Sequence, residues 1–307
     1  MSRCLILGGT GFIGQNLVNA LIRSGETVTV LSRTPSEIFK DTRVEHVVGD
    51  FADGNLIKNL VRTHDVVFHL ISSTIPGNSN QHPERDVLEN LLPTIHLITE
   101  MSKSRNKKLI YLSSGGAIYG NNKRTPLVED TESWPISSYG ITKMAIEKHI
   151  FMHATKGEIT ARIVRASNPY GPLQTGANNQ GVIANFVRKA LTNEKITVWG
   201  DGSVIRDYIF IDDLSSALLK LLEYSGDKLI FNIGSGQPTS IKDLLSLLEK
   251  TLDLRLDISF TPARDVDVSA NVLDISRAMT ELNWEPKIKL PQGLETTVNW
   301  WKSVLVI

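Results

Sequence analysis

The sequence predicts an α/β protein built around a doubly wound parallel sheet. In the first half of the chain, apolar runs of strand length alternate with amphipathic segments of helix length, which is typical of parallel βαβ units. A glycine-rich turn joins the first run to the first helical segment. After residue 168 the alternation loosens into turn-rich sequence, which indicates a smaller α+β unit towards the carboxyl end.

Six apolar runs have the length of buried strands. They are CLILG, TVTVL, VEHVV, DVVFHLI, KLIYLSS and TARIVRA. Helical periodicity lies near residues 12–24, 54–62, 84–105 and 139–155, and Pro93 is expected to kink the third of these segments. Beyond residue 168 we expect a helix over 181–193, short strands at ITVW and DYIFI, and further helices. In a doubly wound sheet the ligand site lies beyond the carboxyl ends of the strands.

Composition excludes several classes of partner. The 307 residues include 33 Lys plus Arg and 33 Asp plus Glu, with no basic run, so we expect neither nucleic acid nor a membrane surface as partner. Cys4 is the single cysteine and we expect it to be a buried thiol, because one cysteine forms no internal disulfide and no cysteine metal cluster. The seven histidines show no metal-ligand pattern, so no metal is expected. No leader or long apolar span is seen, and a cytoplasmic location is expected.

The segment GGTGFIG lies at the junction of the first strand and the first helix. Glycine suits this junction because the chain turns tightly, its backbone approaches a pyrophosphate and the helix packs close to the strand. The helix N-terminus then faces the phosphates. The spacing alone is common, but its place inside a βαβ unit predicts a dinucleotide site. The candidate residues in this loop are Gly8, Gly11, Phe12, Ile13 and Gly14.

A tyrosine and a lysine lie one helical turn apart in SSYGITK, at Tyr139 and Lys143. Tyrosine has a pKa of about 10 in solution, so it becomes a useful general acid or base when a nearby cation favours its phenolate. Two other pairs have this spacing, but YGNNK and YSGDK contain turn-forming residues, whereas YGITKMAIEKHIF continues as an amphipathic helix. We therefore predict that Tyr139 and Lys143 form the catalytic pair.

Together these segments resemble the extended short-chain dehydrogenase/reductases, and among them the NAD-dependent epimerase/dehydratase family, with the UDP-glucose 4-epimerases as the nearest group. Further matching segments follow in the family's order: GDFAD, FHLISS, SSGGAIYG, RASNPYGP, WGDGSVIRDYIFIDDL, FNIGSG, PARDVDV and ELNWEP. The resemblance covers nearly the whole chain. It implies a Rossmann-like fold, with a dinucleotide-binding domain over 1–168 plus about 206–233 and a nucleotide-sugar-binding subdomain over about 169–205 and 234–307.

The resemblance also implies roles around an NAD or NADP(H) cofactor. Tyr139 would take the proton from a sugar hydroxyl, while Lys143 would lower the tyrosine pKa and bind the nicotinamide ribose. The other cofactor residues implied are Asp50 and Phe51 at the adenine, His69 and Leu70 along the channel, and Asn90 on the neighbouring helix.

On the substrate side, the resemblance implies that Asn168 contacts a nucleotide-activated sugar. Arg206 and Arg264 match the arginines that bind the diphosphate, because guanidinium groups suit phosphate oxygens in geometry and charge. Asp267 would meet the nucleoside ribose. The alternative for Arg206 is an ordinary salt bridge with a neighbouring aspartate.

The chain departs from the family at the catalytic hydroxyl. In the family that hydroxyl usually stands four residues before the tyrosine of a VYG segment. The corresponding tyrosine here is Tyr119, in SSGGAIYG, and Gly115 occupies the position four residues before it. Ser114 is the candidate replacement, provided that the strand ends or bulges there, because adjacent strand residues point to opposite faces. The alternatives are Ser113, Ser73, Thr74 or a water molecule.

A second departure follows the second strand. Arg33 stands near the place where many relatives use an aspartate for the ribose hydroxyls, and a base beside Ser32 suits a 2'-phosphate. The alternative is a solvated arginine after a strand. The choice matters because a 4-epimerase can keep NAD bound, whereas a reductase must exchange its cofactor at each turnover.

These expectations give one leading function and two alternatives. The leading function is a nucleotide-sugar 4-epimerase acting on a UDP-hexose by transient oxidation at C4. The second is an NADPH-dependent reductase of a nucleotide-linked 4-keto-6-deoxy sugar, and the third is a catalytically silent nucleotide-binding relative. A dehydratase is disfavoured because SSGGAIYG lacks the Asp-Glu pair that such enzymes use. The helices near 84–105 and 139–155 resemble the family's dimer interface, so we expect a homodimer.

Overall fold

The structure is a computed structural model that describes residues 1–36, 38–39, 41–75, 77, 79–104, 107–122, 124–175, 181–263 and 268–305. Its strands, in chain order, are β1 (Arg3–Leu7), β2 (Thr27–Ser32), β3 (Val44–Val48), β4 (Val66–His69), β5 (Lys108–Ser114), β6 (Thr160–Ala166), β7 (Asn168–Tyr170), β8 (Ile196–Trp199), β9 (Ile205–Arg206), β10 (Tyr208–Phe210), β11 (Ile230–Ile233), β12 (Thr239–Ser240), β13 (Ile258–Thr261) and β14 (Ala270–Asn271).

Helices connect most of these strands. They are α1 (Phe12–Arg23), α2 (Gly54–Thr63), α3 (Pro83–Asp86), α4 (Leu92–Ser102), α5 (Gly115–Ile118), α6 (Ser138–Thr155), α7 (Val182–Leu191), α8 (Ile211–Glu223), α9 (Ile241–Leu252), α10 (Ser276–Leu282) and α11 (Leu290–Leu305). None of the helices in the described part of the chain combines the length and the apolar character that a membrane span requires.

The central sheet has seven parallel strands in the order β3-β2-β1-β4-β5-β6-β11. Strand order reverses between β1 and β4, which is where ligands bind in doubly wound sheets. The pairing aligns Leu7 with His69 and His69 with Tyr111, so these residues lie side by side near the carboxyl ends of three adjacent strands. The predicted Rossmann-like α/β fold is confirmed.

The core lies on both faces of this sheet. Successive residues of β1 alternate between them: Cys4 and Ile6 pack on the side of α1 and α8, and Leu5 and Leu7 pack on the side of α2, α4 and α6. A strand buried on both faces needs a continuous apolar run, as in CLIL. Burial raises the pKa of the Cys4 thiol to about 12, with smaller contributions from Glu26 and Asp65, so this thiol stays protonated.

The segment near 84–105, predicted as one helix kinked at Pro93, keeps helical dihedral angles at Asp86, Leu91 and Leu92 but changes to a π-helical turn before the proline. The short helix α3 is followed by a π-helical turn, Val87–Leu91, and then by α4. Pro93 follows this π-helical turn, and the widened turn accommodates the lack of an amide hydrogen in proline. The break therefore takes the form of a widened turn before the proline, and it places Asn90 in that turn.

Shorter strands and helices form the remainder of the α+β structure. β7 pairs with β10, β8 pairs with β13, and β9 lies between β12 and β14. The first of these pairs begins directly after β6, so Asn168 lies two residues beyond Ala166, which is the β6 partner of Ser114. The turn-rich sequence after β6 thus starts at the same edge of the sheet as the predicted site.

Candidate active site

The glycine-rich loop between β1 and α1 leaves its backbone open to a ligand. Gly8 has a φ of +90°, and a Cβ atom at Gly14 would lie 2.2 Å from the Gly8 carbonyl oxygen, so both positions require glycine. Gly11 caps α1 without a side-chain hydrogen bond, and the first turn of this helix carries no acidic residue. Its amide groups therefore fit a pyrophosphate, as expected for a bound dinucleotide.

The residues predicted to line the cofactor channel lie at or just beyond the ends of the neighbouring strands, except Asn90, which lies in the π-helical turn. His69 is buried, and its ring centroid lies 5.0 Å from that of Phe51. Burial, with the charge of Lys143, lowers the pKa of His69 to about 3, so its imidazole is neutral. Asn90 accepts a hydrogen bond from the Ser73 amide at 2.9 Å and fixes that loop. Asp50 is exposed, and the Leu70 amide donates to the Leu7 carbonyl.

Helix α6 brings Tyr139 and Lys143 to this edge. It begins at Ser138, and the Ser137 hydroxyl caps it by accepting a hydrogen bond from the Gly140 amide. Tyr139 therefore lies in the first turn, and Lys143 follows one turn later. The Lys143 ammonium is buried, donates to the Leu112 carbonyl at 2.9 Å and lies 5.6 Å from the centroid of the Tyr139 ring. The predicted pair is thus brought together.

Burial acts on both members of this pair. It raises the pKa of Tyr139 to about 12, an effect opposed by a hydrogen bond with Ser114 and reinforced by the charge of Asp86. It lowers the pKa of Lys143 to about 8, against the opposite effects of Glu147 and Asp86. Both shifts favour the neutral forms.

Ser114 is the hydroxyl that reaches Tyr139. Strand β5 ends at Ser114 and α5 begins at Gly115, so the alternation of a continuing strand no longer applies there. The Ser114 side chain forms the hydrogen bond that lowers the Tyr139 pKa. The other candidate hydroxyls have partners elsewhere: Ser113 donates to Glu147, Thr74 donates to Asp86, and Ser73 accepts from Asn90.

Gly115 is glycine because its surroundings are filled. A Cβ atom there would lie 2.7 Å from Cδ1 of Leu273 and 3.0 Å from the Ala166 carbonyl oxygen. Leu273 is fully buried, so its side chain has little room to move away. A serine at position 115 would therefore require Leu273 to shift, and the preceding residue supplies the hydroxyl.

Ser114→Ala is expected to lower kcat by about 10- to 100-fold, because Tyr139 loses a hydrogen-bonding partner that favours its phenolate. Ser113→Ala is the matched control. It removes a buried hydroxyl that bonds Glu147 and is expected to cost about 1 kcal/mol of stability with little change in kcat. Initial rates and urea unfolding of both variants measure this. Equal rate losses would remove the distinction between the two serines.

Asp86 belongs to the site but was not predicted. Its carboxylate is fully buried, accepts a hydrogen bond from the Ser138 hydroxyl at 2.6 Å and accepts another from Thr74. It acts on both Tyr139 and Lys143. Asp86 is one of three acidic residues in the polar segment HPERDVLEN and no pattern distinguishes it, so the sequence offered no signal for it.

The substrate-side predictions are located only in part. Asn168 is half-buried and donates to the Asp207 carbonyl at 2.9 Å, and Arg206 donates to the Val268 carbonyl at 2.7 Å. The Asp207 carboxylate accepts from backbone amides, including those of Ser235 and Gly236. Arg264 and Asp267 lie outside the described residues.

Arg33 is exposed just after β2. The Ser32 hydroxyl beside it is engaged, since it donates to the Thr34 carbonyl at 2.8 Å and lies 2.6 Å from a ring nitrogen of His46. The pKa of Glu89 is lowered, first by its hydrogen bond with Arg85 and also by the charge of Arg33. Arg33 therefore lies within electrostatic reach of the turn that carries Asn90.

Comparison with curated proteins supports one family across the chain. A putative UDP-glucose 4-epimerase of Methanocaldococcus jannaschii is 32% identical over 97% of this chain and 98% of its own length. A dTDP-4-dehydro-6-deoxyglucose reductase of Escherichia coli is 33% identical over 96% of both.

Solved structures agree with these relatives. UDP-glucose 4-epimerase of Thermotoga maritima with UDP-glucose has a TM-score of 0.93 and 33% identity, covering 99% of both chains. UDP-glucose 4-epimerase of Thermus thermophilus with NAD has a TM-score of 0.90 and 26% identity, covering 98% of this chain and 99% of its own. The sequence model of the NAD dependent epimerase/dehydratase family matches residues 4–234. The chain therefore belongs to the NAD dependent epimerase/dehydratase family.

Proposed function

We propose that this protein is a nucleotide-sugar 4-epimerase that acts on a UDP-hexose with NAD bound. The observation that carries the proposal is that Ser114, Tyr139 and Lys143 come together at the carboxyl edge of the sheet, where the open N-terminus of α1 also lies. The same fold binds UDP-glucose in the Thermotoga maritima 4-epimerase, which shares 33% of its sequence with this chain.

In this proposal the cofactor, when bound, supplies reversible oxidation at C4 of the sugar. Tyr139 takes the proton from the C4 hydroxyl and later returns it. Ser114 holds the phenol by a hydrogen bond. Lys143, whose ammonium nitrogen lies 5.6 Å from the centroid of the Tyr139 ring, contributes the positive charge that favours the phenolate. The open amides at the start of α1 bind the cofactor diphosphate. Asn90 holds the loop that contains Ser73 by accepting a hydrogen bond from the Ser73 amide.

We propose that Asn168, Arg206, Arg264 and Asp267 contact the nucleotide sugar. The position of Asn168 directly after the β6 edge supports its part. The domain division also stays a proposal, with residues 1–168 plus about 206–233 binding the cofactor and about 169–205 plus 234–307 binding the substrate. A cytoplasmic location stays a prediction, to be tested by cell fractionation.

Reduction of a nucleotide-linked 4-keto-6-deoxy sugar is the second candidate function. The reductase relative, at 33% identity over nearly the whole chain, favours it. The same tyrosine would then donate its proton in one direction only, and reduced cofactor would have to be exchanged at every turnover. The two functions therefore differ in cofactor handling rather than in catalytic residues.

An assay with paired substrates tests the proposal. We expect the protein to interconvert UDP-glucose and UDP-galactose, or their 2-acetamido analogues, without net formation of NADH or NADPH. It should not consume NADPH with dTDP-4-dehydro-6-deoxyglucose. Stoichiometric NADPH consumption with the keto sugar, and no epimerisation of any UDP-hexose, would establish the reductase instead.

Arg33 gives an independent test of cofactor choice. We expect cofactor-free protein to bind NADH at least as tightly as NADPH. Glu89 lies within electrostatic reach of Arg33, and the negative charge of Glu89 opposes the binding of a 2'-phosphate there. Fluorescence titration of the protein and of Arg33→Asp with both cofactors measures this. A strong preference for NADPH that disappears in Arg33→Asp would show that Arg33 binds the 2'-phosphate, and it would favour the reductase.

We propose a homodimer formed by α6 and the helical segment near 84–105, which comprises α3, the π-helical turn and α4. These elements pack against each other and leave large apolar side chains exposed, namely Val87, Leu88, Leu92, Ile141, Phe151 and Met152. Apolar patches of this kind mark interfaces. Phe151→Glu is expected to shift the protein to monomer in sedimentation equilibrium, whereas Phe260→Glu, equally exposed on β13, should not. A monomeric starting protein would contradict the dimer.

A further inference from the structure

Lys143 lies beside a second tyrosine in addition to Tyr139. Its ammonium nitrogen is 4.8 Å from the centroid of the Tyr111 ring. Among the described residues, its hydrogen bond goes to the Leu112 carbonyl. An ammonium group has three donors, so one carbonyl replaces little of the hydration that this buried group has lost.

Tyr111 is built into the centre of the sheet. It is fully buried on β5, where it pairs with His69 on β4 and Ile163 on β6. The His69 ring packs against it at a centroid distance of 5.3 Å and a tilt of 58°, which limits how the Tyr111 ring can turn. Burial, with the nearby Tyr139 and Glu147, raises the pKa of Tyr111, so its ring stays neutral.

The hydroxyl of Tyr111 does not explain its presence. It is buried and has no hydrogen-bond partner among the described residues. Leaving a buried hydroxyl unpaired costs free energy, so the favourable contacts of this side chain come from its ring. The ring face carries partial negative charge and attracts a cation, and the attraction is stronger when the cation is removed from water.

We propose that Tyr111 is a positioning residue that stabilises the Lys143 ammonium through the face of its ring. It thereby keeps a positive charge next to Tyr139. The catalytic consequence rests on the proposed function, but the contact itself does not, because it involves side chains of this chain alone. Tyr111 acts through Lys143 and is not placed in contact with substrate.

Other charged or titratable groups also face Lys143. On α6 these are Tyr139 and Glu147, and Asp86 faces it from α3 and His69 from β4. Glu147 is paired with Arg165 at 2.6 Å, so the charge of this carboxylate is already partly balanced. His69 is neutral and adds no charge. These groups remain in place when only residue 111 is changed, which makes the contribution of the ring separable from theirs.

The test measures the titration of Lys143 in cofactor-free protein carrying ¹³C-labelled lysine, with its signal assigned by Lys143→Arg. Tyr111→Leu removes the ring and is expected to lower the Lys143 pKa by about one pH unit. Tyr111→Phe keeps the ring and is expected to leave it unchanged. In the active enzyme, the loss of kcat at high pH should move towards neutral pH in Tyr111→Leu and return to its original place in Tyr111→Phe.

Two results would overturn the inference: an unchanged Lys143 pKa in Tyr111→Leu, or an equal shift in both variants, which would assign the effect to the hydroxyl. If Tyr111→Leu fails to fold, phenylalanine and trifluorophenylalanine at position 111 compare rings of similar shape but different charge. Lys143 should titrate lower in the fluorinated protein, and equal values would refute the contact. Because the NMR titration needs no substrate, an error in the proposed reaction cannot mimic either result.

Discussion

Tyr139→Phe is expected to lower kcat by about 10²- to 10⁴-fold while leaving cofactor affinity unchanged. The phenol is the group that exchanges a proton with the sugar, and general acid–base catalysis typically contributes a factor of this size. Phenylalanine keeps the ring in the first turn of α6, so the packing beside Lys143 is preserved. Initial rates and NADH titration measure the two quantities.

Tyr224→Phe is the matched control for this change. Tyr224 stands at the same spacing from Lys228 as Tyr139 does from Lys143, but its hydroxyl bonds to Glu281 near the surface. Its loss is expected to leave kcat within about twofold of the original, because surface substitutions have small effects. Ordinary turnover in Tyr139→Phe would overturn the assigned mechanism.

Arg165→Met is expected to destabilise the protein by about 3–5 kcal/mol, because it leaves the buried carboxylate of Glu147 without the guanidinium that pairs with it. Only 6% of the Arg165 side chain and 3% of the Glu147 side chain are exposed, and their closest atoms are 2.6 Å apart. Ser113 also donates to Glu147, but a hydroxyl does not balance a charge. Urea unfolding gives the free-energy difference.

Arg188→Met provides the comparison for this loss. Arg188 also pairs closely with a glutamate, Glu194, but both side chains are partly exposed, and such pairs contribute at most about 1 kcal/mol. Replacing both charges, as in Glu147→Gln with Arg165→Met, should recover much of the stability lost in the single variant. If Arg165→Met costs no more than Arg188→Met, the buried pair does not stabilise the fold as inferred.

The fold was predictable because its determinants are local. Six of the seven strands of the central sheet were predicted as apolar runs, although β11 was not among them, and GGTGFIG marks a junction where the backbone approaches a ligand. The Tyr139 and Lys143 pair was also predictable, since one helix sets its spacing. The division of the segment around Pro93 was only partly predictable, because the proline marks a break but does not specify a π-helical turn before it.

Other features depend on residues far apart in the chain. Gly115 packs against Leu273, which lies more than 150 positions away, so the sequence alone left Ser113, Ser73, Thr74 and water as alternatives to Ser114. In the sequence, Tyr111 is one more residue of the strand KLIYLSS, and nothing distinguishes it from its apolar neighbours. Its contact with Lys143 arises only because α6 places the lysine over its ring. Tertiary contacts of this kind carry no periodic or motif signal, which is why the site was predicted less completely than the fold.

The most direct test of the 4-epimerase follows a deuterium atom at C4 of UDP-galactose. If the hydride removed from C4 is returned to the opposite face of the same sugar, the UDP-glucose product should keep its deuterium at C4, even with unlabelled NADH in solution. Mass spectrometry and proton NMR measure the retention. Loss of the label to the cofactor pool, or no conversion of UDP-hexoses at all, would contradict epimerisation by transient oxidation at C4.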